Sequence, residues 1–444
     1  MAVKIKYDKI QMFFKELKEC DRMFRLLYAD PGGRLYEDPE LLAVGRSGGE
    51  FWELDESEMI PLPPGADLML LPLRAPVGVN PRDGQPEILE CLEDGTPVYA
   101  VAAVLPAGYT RLLLPGYENI QKDGQELPLF GYTAVGVDQE GQVWVAARLT
   151  DRPDKWNPLS YNDDSLPERI SRKKEEFPGN RILEQLAHCS LDYHCLTAQN
   201  IFYERWEAGL PVSPVCNARC IGCISLQPSE CCPSPQARIN FTPTVDELAE
   251  LGAAHLIKAP DAIISGGQGC EGEALKAHFI WSPAIRKIRQ KTNRGTININ
   301  TNAGYTRGLA ELCEAGLDSI RVSLFSAREE LYHAYHRPVD YTLADVRNSI
   351  RLAKEYGLFV SLNLLAFPGV TDRPEEAAAL TELINEYKVD MVQLRNLNID
   401  PDSLLKAVGP PGGEILGMTE FISLLVHDCP HLIVGSYSHP VHKA

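Results

Sequence analysis

An α/β fold is what this sequence predicts: a partial parallel barrel of six strand–helix units, preceded by a small β-rich domain. Three observations carry the prediction. From Phe241 onward, short apolar runs alternate with stretches of helical periodicity, the pattern of right-handed parallel crossovers. Between Leu41 and Leu149 the pattern is instead one of short apolar or alternating runs broken by turns. At 444 residues, 44% hydrophobic and 23% charged, the chain has the length for two or three domains and the composition of an ordinary globular protein. The expected division is a β-rich domain over 1–150 with a helical lead-in, a connector and helix over 151–210, the barrel over 211–400, and a C-terminal extension over 401–444.

Residues 8–27 carry apolar side chains at helical spacing and predict the amphipathic lead-in helix. Asp94-Gly95 divides EILECL from VYAVAAVL, and Asp138 to Gly141 divides YTAVGV from QVWVAAR; both are hairpin signals. The span 150–182, with Pro153, Pro158 and Pro167 among many charges, reads as a connector, and the helical segment after it delivers the chain to Pro211. In the barrel, Thr244 and Glu247 make a capping box ahead of VDELAELGAAHLIK, and AIIS is a short buried strand. A helix around Pro283 to Gln290 follows, with Pro283 suited to its first turn. TININTN, SIRVSLF, FVSLNLLAF and DMVQLRNLNI are the later strands; Thr342 with Asp345 opens a helix that Gly357 closes. Together with the strand before Cys216 they make six units, whose functional face is the C-terminal end of the strands.

Composition narrows the function. A net charge of −18 disfavours a nucleic-acid substrate, and the first 150 residues alone carry 14 basic against 24 acidic side chains. No run of about 18 apolar residues is present, so no membrane span is expected, and the N-terminus lacks the apolar core of a secretory signal. Twelve cysteines without such a signal predict free thiols and cofactor ligands in a reducing cytoplasm.

The chemistry concentrates in PVSPVCNARCIGC, Pro211 to Cys223, where Cys216, Cys220 and Cys223 stand at C-x3-C-x2-C. Three soft sulfur ligands on one loop suit an iron–sulfur cluster, in which one iron of a four-iron cube is left without a protein ligand; a structural zinc loop is the alternative and needs a fourth ligand. Further polar or glycine-rich elements fall at predicted strand ends. They are ISGGQGCEGEAL (Ile264 to Leu275), INTNAG (Ile299 to Gly304), GLDSIRVSLFSA (Gly316 to Ala327) and FVSLNLLAFPGVTD (Phe359 to Asp372). On the last strand Gln393, Arg395, Asn398 and Asp400 crowd polar groups, and a buried strand arginine needs a partner; this cluster is the expected site of substrate recognition. Cys189, Cys195, Cys231, Cys232 and Cys270 are either ligands of a second cluster or buried thiols. His427, His431, His439 and His442 near Cys429 match no defined metal spacing and read as a solvated tail or strand.

From Cys216 to about Pro401 these elements, in this order, resemble the radical S-adenosylmethionine (radical SAM) superfamily, in the branch of the molybdenum-cofactor cyclase and its peptide-modifying relatives. The resemblance implies a radical SAM partial barrel with a [4Fe–4S] cluster on Cys216, Cys220 and Cys223. It implies S-adenosylmethionine bound by the strand ends: Gly266 and Gly267, or Gly272 and Glu273, for the methionine amino group; Asn300, Asn302 and Asn363 for ribose or substrate; Ser323 and Arg321 for ribose or the methionine carboxylate. The implied activity is reductive cleavage of S-adenosylmethionine to a 5′-deoxyadenosyl radical, with an electron from flavodoxin or ferredoxin. That radical abstracts hydrogen from a peptide, protein or small-molecule substrate. Two positions depart from the family pattern: Gly222 stands where an aromatic residue is frequent, and Ala274 replaces a proline. The competing class is a non-catalytic zinc- or iron–sulfur-binding interaction protein on a barrel scaffold.

Overall fold

A computed structural model describes residues 2–6, 12–13, 23–120, 126–127, 129–226, 234–396, 399–409 and 413–441. The chain forms two compact units. The first takes Met1–Asn157 with Ala366–Ala378 and Asn396–His427; the second takes Pro158–Leu365 with Ala379–Arg395 and Asp428–Ala444. The division is therefore interleaved, not the linear one expected.

The first unit is antiparallel β structure. Arg25–Ala29 pairs with Leu35–Ser47, and that strand pairs with Arg74–Val79. Its inward residues, among them Leu27, Val101, Val135, Val137 and Val145, make an apolar core. The Asp138–Gly141 hairpin forms as expected: Val137 faces Val143, Gly141 takes φ +81°, and the Asp138 carboxylate accepts from Glu140 N, Gln142 N and Trp144 Nε1. At Asp94-Gly95 the turn forms, but the strands exchange only Leu92 N to Thr96 O and Val98 N to Glu90 O before diverging. Tyr99–Val104 leaves to pair with Arg25–Ala29 and Asp67–Leu70. Of the helix expected over residues 8–27, the described parts are extended instead: Met12–Phe13 pairs with Glu50–Glu53 and Arg25 opens a strand, while the rest lies outside the described residues.

The segment 396–427 joins this unit through one buried and one half-buried ion pair. Asp400 pairs with Arg74 at 2.6 Å and Asp402 with Arg46 at 2.7 Å, and both guanidinium groups lie over the Tyr117 ring at 5.5 and 4.8 Å. Asp400 is thus committed to an ion pair and is removed from the substrate-recognition cluster expected at the end of the last strand.

The second unit is a seven-stranded parallel sheet in chain order: Glu207–Gly209, Ile263–Gly266, Thr296–Thr301, Ser319–Leu324, Phe359–Ala366, Met391–Asn396 and Ile433–Gly435. Six strands were expected; the seventh, three residues between Pro430 and Pro440, is too short to show periodicity. Helices cross back between successive strands, as in a partial (β/α) barrel. Alternation sorts the two faces. Ile297, Ile299, Ile320, Val322, Leu324, Val360 and Leu362 are buried apolar residues on one face. Asn298, Asn300, Ser319, Arg321, Ser323, Ser361 and Asn363 share the other, in the register Asn300–Arg321–Ser361 and Ser323–Asn363.

Both capping boxes form, at Thr244/Glu247 and Thr342/Asp345, and Gly357 closes the second helix at φ +72°. Two local expectations fail. The connector holds a helix, Leu166–Glu176, with Pro167 in its first turn. The helix bearing Pro283 runs His278–Lys291, so the proline lies inside it. The ladder bond it forfeits would go to the carbonyl of Phe279, a residue 60% exposed, where water can substitute.

Candidate active site

The cysteine loop is docked by its own backbone. Arg219 N donates to His336 O at 3.1 Å, Ile221 N to Tyr335 O at 3.1 Å, and Val339 N to Asn217 O at 3.0 Å. On the other flank, Gly272 N donates to Ser213 O at 2.7 Å and Glu273 N to Val215 O at 2.8 Å, joining the loop entry to the glycine-rich strand end. Two carboxylates reinforce this. Glu271 accepts from Val212 N, Ser213 N and Gln268 N at 2.7 to 2.9 Å. Glu273 accepts from Asn302 N and Leu275 N and from the Thr301 hydroxyl. Asn217, between the first two cysteines, bridges Asn302 and Asp340 at 2.8 and 2.7 Å.

Cys216, Cys220 and Cys223 are each half-buried. Cys220 Sγ lies 3.4 Å from His336 Nδ1, and Arg238 Nη2 lies 3.6 Å from Cys223 Sγ. Tyr332 stacks on the His336 ring at 4.4 Å, and burial lowers that imidazole to about 3, so it is neutral. Burial, with Glu273 nearby, pushes the Cys216 thiol up to about 11; burial and the other two cysteines raise Cys220 further. A bound metal would displace these protons. Among the described residues no three cysteine, histidine or carboxylate side chains converge on a single ion. Three sulfurs on one loop fit a cluster, where each ligand takes a separate iron.

The predicted cofactor residues fall into two sets. Gly266, Asn300, Arg321, Ser323 and Asn363 stand at the strand ends or on the polar face. There Asn300 Nδ2, Arg321 Nε and Asn363 Oδ1 are buried without a hydrogen-bond partner among the described residues, free valences that fit a polar ligand such as S-adenosylmethionine. Gly267, Gly272, Glu273 and Asn302 make close contacts within the protein. Gly267 has φ +77° and a Cβ there would meet Asn300 O at 1.7 Å; at Gly272 it would meet Val215 O at 2.2 Å. Asn302 sits past the end of its strand, in a turn where its side chain accepts from Gly304 N, so it does not share a strand face with Asn300.

Deeper in the barrel Arg321, Gln393 and Arg395 join Glu207, Ser265, Asn298, Ser319 and Ser361, which were not singled out in the sequence, in a polar network. Ser265 donates to Glu207 at 2.8 Å, Asn298 to Ser265 at 3.1 Å, and Ser319 to Asn298 at 2.8 Å. Arg321 reaches Gln393 at 3.3 Å and Ser438 at 3.1 Å and lies 4.0 Å from Glu207. Gln393 also donates to Ser361, and Arg395 donates to Ser436 O at 2.5 Å. Burial, then the Arg321 charge, lowers Arg395 to about 10. Polar residues at every second position of TININTN, SIRVSLF and FVSLN were the available signal for this interior. Asn398 lies outside the described residues, as do Cys231, Cys232 and His442. Of the other cysteines, Cys189 and Cys270 share a thiol hydrogen bond with Cys195 beside them, and Cys429 is buried.

Residues 210–381 match the model of the radical SAM superfamily. No curated protein matches the chain. Similar solved structures include methylornithine synthase (PylB), at 16% identity and TM-score 0.37 over 62% of this chain and 72% of that one. The [FeFe]-hydrogenase maturase HydG from Carboxydothermus hydrogenoformans matches at 15% and 0.35 over 60% and 65%. Streptococcus suis SuiB bound to S-adenosylmethionine matches at 12% and 0.37 over 72% and 71%.

Proposed function

We propose, from the premise that residues 210–381 form a radical SAM domain and the chain is accordingly a radical SAM enzyme, that Cys216, Cys220 and Cys223 hold a [4Fe–4S] cluster beside bound S-adenosylmethionine. When bound, the cluster would relay one electron from an external reductant to S-adenosylmethionine, whose carbon–sulfur bond would break to methionine and a 5′-deoxyadenosyl radical able to take hydrogen from substrate. The chain's own residues position and enclose the reactants. Backbone at Gly266 and Gly267 offers close approach for the methionine amino group. Asn300, Arg321, Ser323 and Asn363 present polar groups to the ribose and carboxylate, while Glu273 and Asn302 hold the neighbouring turn and Gly272 packs against the loop entry. Gln393 and Arg395, with Asn398, are the substrate-recognition residues, for a peptide, protein or small molecule ahead of nucleic acid. No helix among the described residues is long and apolar enough to cross a membrane; a cytoplasmic location and a flavodoxin- or ferredoxin-type reductant complete the proposal.

The observation that carries this reading is one cysteine tripod tied by backbone hydrogen bonds to a barrel face bearing unpartnered buried polar atoms. Anaerobic reconstitution with iron and sulfide, then dithionite and S-adenosylmethionine, is expected to give a brown protein that forms 5′-deoxyadenosine. Serine at Cys216, Cys220 or Cys223 is expected to abolish both colour and product. A colourless wild-type protein that retains zinc and forms no 5′-deoxyadenosine would support the interaction-protein reading instead.

A further inference from the structure

The cysteine loop has an inner and an outer side. Inward, Asn217, Gly222 and the facing Glu271, Glu273 and Asn302 are buried. Outward, Val215 is 55% exposed and Leu226 62%, and Arg219, between the first two cysteines, is exposed as well. Arg219 lines a depression of about 490 Å³ together with His333, Arg337, Pro338 and Val339. These residues belong to the stretch whose backbone carries the cysteine loop, so the depression is part of the loop's outer wall.

Its charge runs against that of the chain. The whole carries −18, yet the two charged side chains lining the depression are both arginines, and neither guanidinium has a partner among the described residues. Arg337 is held outward at a left-handed φ of +46°, at the end of the helix Glu329–His336. Of the acidic residues near in sequence, Asp340 accepts from Asn217 and Lys276, while Glu329, 3.7 Å from His333, and Glu330 are exposed on the preceding helix. Val339, 59% exposed, adds an apolar rim. Unpaired arginine beside exposed aliphatic side chains is the composition of a protein-binding patch. A small patch of this kind suits the brief encounters of electron-transfer partners.

We propose that this face, Arg219 and Arg337 with Pro338 and Val339, docks an acidic one-electron carrier protein that reduces the cluster. The inference rests on the cluster reading above and adds where the electron enters. An acidic carrier is repelled by the chain as a whole, so productive approach needs a local positive anchor; the outer wall of the cysteine loop supplies one where the path to the sulfurs is short.

The test compares two reductants on the reconstituted full chain. In the R219E/R337E double variant, 5′-deoxyadenosine formation driven by reduced flavodoxin is expected to fall roughly tenfold or more, and flavodoxin binding measured by calorimetry to weaken in parallel. Formation driven by dithionite, which needs no docking, is expected to stay at the wild-type rate, and R351E on an exposed helix position to change neither. Equal flavodoxin binding by wild type and double variant overturns the proposal, as does an absence of binding to wild type. A dithionite-driven rate that falls as far as the flavodoxin-driven one also overturns it, because the arginines would then support the loop itself. Wild type that binds flavodoxin in an Arg219- and Arg337-dependent way yet cleaves nothing with dithionite would sink the enzymatic reading and leave the docking surface standing.

Discussion

At the scale of single residues, Glu271 shows how function and stability share a side chain. It is 4% exposed and accepts three backbone N–H groups that join the glycine-rich loop to the entry of the cysteine loop. Burial nevertheless wins over those donors and raises the carboxyl to about 7. The folded state therefore binds the proton more tightly than the unfolded chain, whose value is near 4.5. The sign follows: stability falls as pH rises from about 4.5 to 7, by about 3 kcal/mol from this group. Asp372, raised to about 7 by burial in the first unit, slopes the same way, so the comparison must be with a variant. E271Q is expected to flatten the fall in unfolding free energy between pH 5 and 7, measured by denaturant titration. It should also cost about 1–3 kcal/mol at pH 5, because an amide nitrogen would face a backbone donor. An unchanged pH slope would mean that Glu271 is ionised throughout. This residue was not legible in the sequence. The motif pointed two positions on, to Glu273, and what sets Glu271 apart is its reach to Val212 and Ser213, some 58 residues back in the chain.

Elements were legible where periodicity ran long enough. The alternation of TININT and SIRVSL, and the Thr-x-x-Glu and Thr-x-x-Asp caps, fix strand faces and helix starts from local chemistry alone. The three-residue strand Ile433–Gly435 was beyond it, since its place depends on its parallel neighbour Met391–Asn396 and not on pattern. Glycine just past the end of an element divides along the same line. Gly267 and Gly357 look alike in sequence and both have positive φ, at +77° and +72°. A Cβ at Gly357 meets nothing within 4 Å, whereas at Gly267 it would strike the Asn300 carbonyl at 1.7 Å. Alanine at Gly357 should therefore cost only the conformational penalty, about 1 kcal/mol. Alanine at Gly267 must move the third strand or the loop and should cost several times more, about 3 kcal/mol or above. Thermal denaturation of the two variants side by side checks this, and equal losses would show that the loop has room to yield.

At the scale of the whole molecule, the fold class follows from the order of elements, but two long-range assignments do not. One is the commitment of residues 396–427 to the β-rich unit, made by pairs more than 300 residues apart, the buried Arg74–Asp400 and the half-buried Arg46–Asp402. The other is the fate of the residues after the seventh strand. Ser438 accepts from Arg321 and donates to Glu207, on the first strand; Ser436 O takes Arg395; and Val441 N donates to Thr296 at 2.8 Å. The stretch 436–441 thus links the seventh strand back to the first and supplies partners to two buried guanidinium groups and one buried carboxylate. Ending the chain at Gly435 would leave those charges in place and remove their hydrogen bonds, a loss of about 3–5 kcal/mol if water does not fully replace them. The damage should be confined. Hydrogen exchange is expected to speed in Glu207–Gly209, Ser319–Leu324 and Met391–Asn396, while Val135–Val137 and Val143–Leu149 keep their protection. If the barrel strands exchange at their former rates, the charges are satisfied from within the sheet and the final residues are an appendage. If both units loosen together, the two fold as one cooperative body, and the pairs at Arg46 and Arg74 matter to the active site as much as to the unit they hold.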